Sequence, residues 1–157
     1  RFIILGVGMN INWRKEDMPD KPAYVLDSYA VISYLRDESG ADQVEEILER
    51  ARSEEAQVYM HSVNLGEVYY VVLREEGEER AALVYAKVKR YPVEFIDDLS
   101  EDLLLGAARI KAEYAVSYAD AFAVATAISK RGTLVSGDPE LKPIEDAGLI
   151  SIQWIGS

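Results

Sequence analysis

From Ala23 to the end of the chain, short apolar runs alternate with longer stretches of helical periodicity, and no other feature restricts the fold as much. Strands covered by helices on both faces read as near-continuous apolar runs, and parallel neighbours need a crossover long enough to hold a helix. The pattern predicts an α/β domain with a central parallel sheet. Strands are expected at Ala23 to Leu26, Val58 to Met60, Val93 to Ile96, Thr133 to Val135 and Leu149 to Ile152. One helix is expected through Val31, Ile32 and Leu35, and a second through Val44, Ile47, Leu48 and Ala51 at i, i+3, i+4, i+7 spacing. Ser62 is expected to cap a helix reaching about Glu76, with Val63, Tyr70 and Val71 as its apolar stripe, and Gly77 separates it from another through Leu83, Val84 and Val88. Ser100 caps a helix carrying Leu103, Leu104, Ala107, Ala108 and Ile110; Ser117 opens one rich in small residues from Ala119 to Ile128; Pro139 starts a short one.

At 157 residues, 49% hydrophobic and 29% charged, the chain is the size and composition of one ordinary domain. It has no cysteine and a single histidine, His61. Disulfides, thiolate zinc sites, cysteine nucleophiles and histidine triads are thereby excluded, and any metal or acid–base chemistry must rest on carboxylates. The run Phe2 to Val7 is too short for a membrane span and lacks the flanks of a signal peptide, so no membrane partner and a cytoplasmic location are expected. Residues 1–22 read as an N-terminal extension before a domain at 23–157, with Met18 as the expected natural start. The net charge of −11 repels phosphate overall, so contact with nucleic acid would have to be local. Most of the excess acids, such as Glu45, Glu46, Glu75 and Glu78, read as solvated helix faces.

Four acids stand apart. Asp27 ends the first strand, and Asp138 follows the fourth in Ser136-Gly137-Asp138-Pro139. Asp120 sits three residues after Ser117 in an otherwise apolar helix, and Glu67 lies four residues after Val63 on an apolar stripe. Parallel sheets build ligand sites outside the carboxyl ends of strands, where three of these acids fall. Each also has a structural reading. Asp27 and Asp138 suit N-caps, Ser117 with Asp120 resembles a capping box, and Glu67 can rotate to solvent. If the four meet, mutual repulsion calls for cations, and oxygen-only ligation selects Mg²⁺ or Mn²⁺. One or two such ions can activate water for phosphodiester hydrolysis.

The chain resembles PIN domains, and within them the small VapC-type toxins of toxin–antitoxin pairs, from about Ala23 to Ile152. The resemblance rests on Tyr24-Val25-Leu26-Asp27-Ser28, Ser62-Val63-Asn64-Leu65-Gly66-Glu67-Val68, Ser117-Tyr118-Ala119-Asp120-Ala121-Phe122-Ala123-Val124-Ala125 and Leu134-Val135-Ser136-Gly137-Asp138, four motifs in order. It implies a three-layer α/β/α fold, a Mg²⁺- or Mn²⁺-dependent endoribonuclease acting on RNA, a small VapB-like antitoxin partner and a homodimer. Carried over by position, it implies that Asp27, Glu67, Asp120 and Asp138 bind the metal and do the catalysis, with Ser28 and Ser136 supporting them. The acidic balance and the N-terminal extension depart from the pattern and leave the RNA-binding surface unassigned.

Other residues read as structure. Asp98 and Ser100 suit the start of the next helix, His61 a turn or packing role, and Tyr70 the core; Lys87, Lys89 and Arg90 form the best basic cluster but resemble ordinary surface. A non-catalytic PIN-like binding module is the alternative function, and the four retained acids speak against it. A phosphoacceptor domain would need an acid pair early in the chain and a lysine after a late strand; Asp27 has no acid neighbour and Ser136-Gly137-Asp138 no lysine. DNA cleavage stays open beside RNA cleavage.

Overall fold

A computed structural model describes residues 15–156, and the expectations placed on residues 1–14, the run Phe2 to Val7 among them, lie outside it. The strands are β1 (Ala23–Leu26), β2 (Gln57–His61), β3 (Glu94–Ile96), β4 (Thr133–Ser136) and β5 (Ile152–Trp154). The helices are α1 (Ser28–Leu35), α2 (Ala41–Arg52), α3 (Ser62–Glu76), α4 (Glu78–Val88), α5 (Glu101–Glu113), α6 (Tyr118–Lys130) and α7 (Lys142–Asp146), with single 3₁₀ turns at Lys15–Asp17 and Pro139–Leu141. The sheet runs β3-β2-β1-β4-β5 with every neighbouring pair parallel.

Strand residues feed two separate cores by simple alternation. Val25, Leu134 and Ile152 face a core shared with α5, α6 and α7, while Leu26, Val58, Met60 and Val135 face one shared with α1 to α4. This gives the three-layer α/β/α arrangement. In α6 every residue from Asp120 to Ile128 is buried, and its run of alanines lets the helix lie close against the sheet.

Local details depart from expectation in three places. The last strand begins at Ile152 rather than Leu149, because Leu149 N–H closes the end of α7 on the Ile144 carbonyl (3.3 Å) and Ile152 N–H goes to the Glu145 carboxylate (3.2 Å). Helix α3 is capped by His61, whose Nδ1 accepts from Val63 N–H at 3.0 Å, and Ser62 is the first helical residue. The buried stripe of α3 is Asn64, Leu65, Val68 and Val72; Tyr70 points outward with 48% of its surface exposed, so it is no core residue. The helix is joined to α6 by a polar contact, in which the Asn64 side-chain amide donates to the Ala119 carbonyl at 3.0 Å. Asp98 does serve the start of α5, accepting from the Ser100 backbone N–H (2.7 Å) and hydroxyl (3.1 Å).

Candidate metal centre

Strand β1 lies in the middle of the sheet, and the chain continues from it to β2 on one side and reaches β4 on the other. Such a reversal opens a crevice at the carboxyl ends of the two strands. The register pairs Leu26 with Val135, which sets Asp27 beside Ser136, and Asp27 N–H extends the ladder to the Val135 carbonyl at 3.5 Å.

Asp27 is buried, and one carboxylate oxygen caps α1 by accepting from Ala30 N–H at 2.8 Å. Its other oxygen, Oδ2, is buried without a hydrogen-bond partner. Burial pushes this carboxyl up to about 7; the Ser136 hydroxyl and Ala30 N–H oppose the rise, and the charges of Asp120 and Asp138 add to it. A buried carboxylate with an orphan oxygen is costly unless a cation meets it.

Asp120 stands in the first turn of α6, where it forms a capping box with Ser117: its Oδ2 accepts from Ser117 N–H (3.2 Å), and Ser117 Oγ accepts from Asp120 N–H (3.0 Å). Burial raises its carboxyl above the usual range, the Ser117 bonds oppose this, and the Asp138 charge adds to the rise. Asp138 caps the 3₁₀ turn through Glu140 N–H (2.9 Å) and is steadied by its own N–H on the Ser136 hydroxyl (3.1 Å).

Ligand oxygens of Asp120, Asp138 and Glu140 lie within 4.8 Å of one another. Glu140 carries no sequence signal of burial or periodicity and was not among the expected residues. The cue for it was position alone, two residues after Asp138 at the start of a helical turn. Glu67 is half-buried on α3 across the cleft, where its Oε1 accepts from the Ser28 hydroxyl. The structure thus brings Asp120 and Asp138 together with Glu140, sets Asp27 against them in charge contact, and holds Glu67 with Ser28 on the facing wall. Ser136 is fully buried below the cluster.

Ser28, Glu67, Asp120, Asp138 and Glu140 line a cleft of about 390 Å³, and Asp27 and Ser136 are not in its lining. Its donors are carboxylate and hydroxyl oxygens, a set suited to hard octahedral cations. The orphan Oδ2 of Asp27, the spacing of the other acids and the donor chemistry all fit Mg²⁺ or Mn²⁺.

Comparison with known proteins identifies the family and the fold. The family model of the PIN domain matches residues 24–146. No curated protein matches the chain in sequence. Among solved structures, the fold is similar to VapBC2 from Rickettsia felis bound to a DNA fragment from their promoter, with 18% identity and a TM-score of 0.65 over 85% of this chain and 98% of that one. It is similar also to VapC20 from Mycobacterium tuberculosis, a Sarcin-Ricin loop cleaving toxin, with 17% identity and a TM-score of 0.60 over 83% and 98%. FitAcB from Neisseria gonorrhoeae shares 18% identity and a TM-score of 0.53 over 82% and 95%. At such identities the likeness is one of fold.

Proposed function

The chain belongs to the PIN domain family, and from that premise we propose that it is a Mg²⁺- or Mn²⁺-dependent endoribonuclease, the toxin of a toxin–antitoxin pair. The observation that carries the reading is the buried, unpartnered Oδ2 of Asp27 in charge contact with Asp120 and Asp138 at the switch point of the sheet. Asp27, Glu67, Asp120, Asp138 and Glu140 would hold the divalent metal, with Asp120, Asp138 and Glu140 the three whose ligand oxygens lie within 4.8 Å of one another. When bound, such ions neutralise the phosphodiester, lower the pKa of water and stabilise the leaving oxygen.

The protein's own groups do the positioning. Ser117 fixes the Asp120 carboxylate through the capping box, Ser136 fixes the turn that carries Asp138, and Ser28 holds Glu67 against α1. Asn64 joins the helix of Glu67 to the turn before Asp120, so the two walls keep one spacing. Because cations would relieve the mutual repulsion of these carboxylates, they would also stabilise the folded site.

The toxin assignment is supported by the fold likeness to VapBC and FitAB complexes, and by apolar side chains left uncovered on the single chain. Leu99, Leu104 and Leu105 are exposed at α5, and Tyr70, Leu73, Leu83 and Tyr85 on α3 and α4, surfaces of the kind that partner proteins cover. A small antitoxin and a second copy of this chain are the partners proposed.

The experiment is cleavage of a structured RNA and a matched DNA in Mg²⁺, Mn²⁺ or EDTA by wild type and Asp120→Asn. The amide keeps an oxygen for the Ser117 N–H while removing the charge. Metal-dependent cutting of RNA that the variant loses is expected; cutting that persists in EDTA or in the variant would overturn the assignment. For the toxin role, growth arrest on expression should require Asp27 and be relieved by a co-encoded small partner.

A further inference from the structure

Among the described residues, the cleft is lined by the carboxylates of Glu38, Glu67, Asp120, Asp138 and Glu140 and by no lysine or arginine. A nucleic acid entering it meets positive charge only on the ions. Any additional hold on the strand has to come from uncharged contacts, and one side chain in the lining is shaped for that.

Tyr29 is the second residue of α1, next to Ser28, and is the single aromatic residue in the lining among those described. It is 42% exposed. Its ring is seated on the backbone of Gly137, the residue just before Asp138: a methyl added at Gly137 would fall 2.3 Å from Tyr29 Cε1, 2.7 Å from Cζ, and 2.8 Å from the Ile155 carbonyl oxygen. Only glycine leaves room for the ring there, so the turn that carries a metal-binding acid also carries the aromatic.

A ring held this way gives up little freedom when a second flat group stacks on it. Every nucleobase offers such a face, and stacking on an aromatic side chain tolerates any base. The seat adjoins Asp138, which sets the stacked base next to the phosphate that the ions would engage. We propose that Tyr29 is a stacking platform for the nucleobase flanking the scissile phosphate. This rests on the nuclease reading above.

The test uses a pool of short randomised single-stranded RNAs in filter binding, with Ca²⁺ occupying the oxygen ligands, on wild type, Tyr29→Ala, Tyr29→Phe and Tyr85→Ala. Tyr85 is an equally exposed tyrosine (41%) outside the cleft lining. Tyr29→Ala should weaken binding about tenfold, while Tyr29→Phe and Tyr85→Ala bind as wild type does. The rise in melting temperature with Mn²⁺ should be equal in all four, which shows that each variant folds and keeps its metal site. Equal RNA binding by Tyr29→Ala would overturn the platform and leave the nuclease reading standing; so would weak binding by Tyr29→Phe, which would point to the hydroxyl. A wild type that neither binds RNA in Ca²⁺ nor cuts it in Mn²⁺ would overturn both.

Discussion

Asp27 and Asp138 each cap a helical turn, Asp120 closes a capping box with the cap Ser117, and the three helix starts adjoin one another. The structural and chemical readings of these acids are therefore one reading: helix N-termini, which favour negative charge, converge at the carboxyl edge of the sheet. The dipoles offset part of the repulsion, but Asp27 still retains a proton up to about 7, whereas in the unfolded chain it would lose it near 4. A folded-state pKa raised in this way stabilises the protein below the unfolded value, and that stability is lost as pH rises through the folded value. In EDTA the melting temperature should accordingly fall between about pH 4 and pH 7, and Asp27→Asn should remove most of that slope, a difference of up to about 4 kcal/mol at pH 8. An unchanged slope in the variant would mean that other groups carry it. The four acids singled out were legible by placement, three at strand ends or helix starts and Glu67 by its apolar stripe, whereas Glu140 became visible only when the 3₁₀ turn brought it beside Asp138. His61 takes the turn and packing role read for it, through one local and two distant contacts: Nδ1 accepts from Val63 N–H at 3.0 Å, Nε2–H donates to the Asp98 carbonyl at 3.0 Å, and the ring packs 4.9 Å from Phe122. His61→Ala should cost about 2–4 kcal/mol in urea unfolding through the lost cap and hydrogen bond.

Among elements, the strands and helices buried on both sides were the most readable, because apolar period alone specifies them. Helix α6, with its unbroken burial, and the strands β1 and β4 fall where the pattern put them. Boundaries set by side chains were not readable. The displaced β5 shows why: Glu145 on α7 accepts from Trp154 Nε1–H (3.0 Å), Ile152 N–H (3.2 Å) and Lys142 Nζ (3.1 Å), so one carboxylate holds the edge strand in register. The Trp154 bond is the main cause that keeps the Glu145 carboxyl below its usual range, and the stability it brings is present at neutral pH and lost on acidification. Glu145→Ala should cost about 1–3 kcal/mol and expose Trp154 to fluorescence quenchers in the folded state. Quenching identical to wild type would show that β5 is held by its ladder to β4 alone. The outward turn of Tyr70 goes with a buried stripe of Leu65, Val68 and Val72 joined by Asn64, whose amide donates to the Ala119 carbonyl.

For the whole molecule, a net charge of −11 and a cluster of acids at one sheet edge add in the same direction. An ion bound only by the native state stabilises it by mass action, about 2.7 kcal/mol at a hundredfold excess over Kd. Millimolar Mn²⁺ should raise the melting temperature of wild type and leave Asp120→Asn nearly unshifted; equal shifts would place the binding elsewhere. Light scattering should find twice the chain mass if the exposed leucines at α5 meet in a homodimer, and a single chain mass would leave that surface to other partners.

The strand order also has a bearing on biosynthesis. Among the described strands, the first to be made is the middle of the sheet, and the neighbour that completes its crevice, β4, is made after β2 and β3. Until residues 133–138 have emerged, Asp27 has no Ser136 beside it, Asp120 has no Asp138, and one edge of β1 stands open. A nascent chain of this topology can collapse around β1, β2 and α1 to α4 while holding no complete ion site. On the proposed function, hydrolytic capacity would arrive only once residues 133–138 are made, and a product that stops short of β4 leaves one edge of the central strand unpaired, a form that quality-control proteases can recognise and remove.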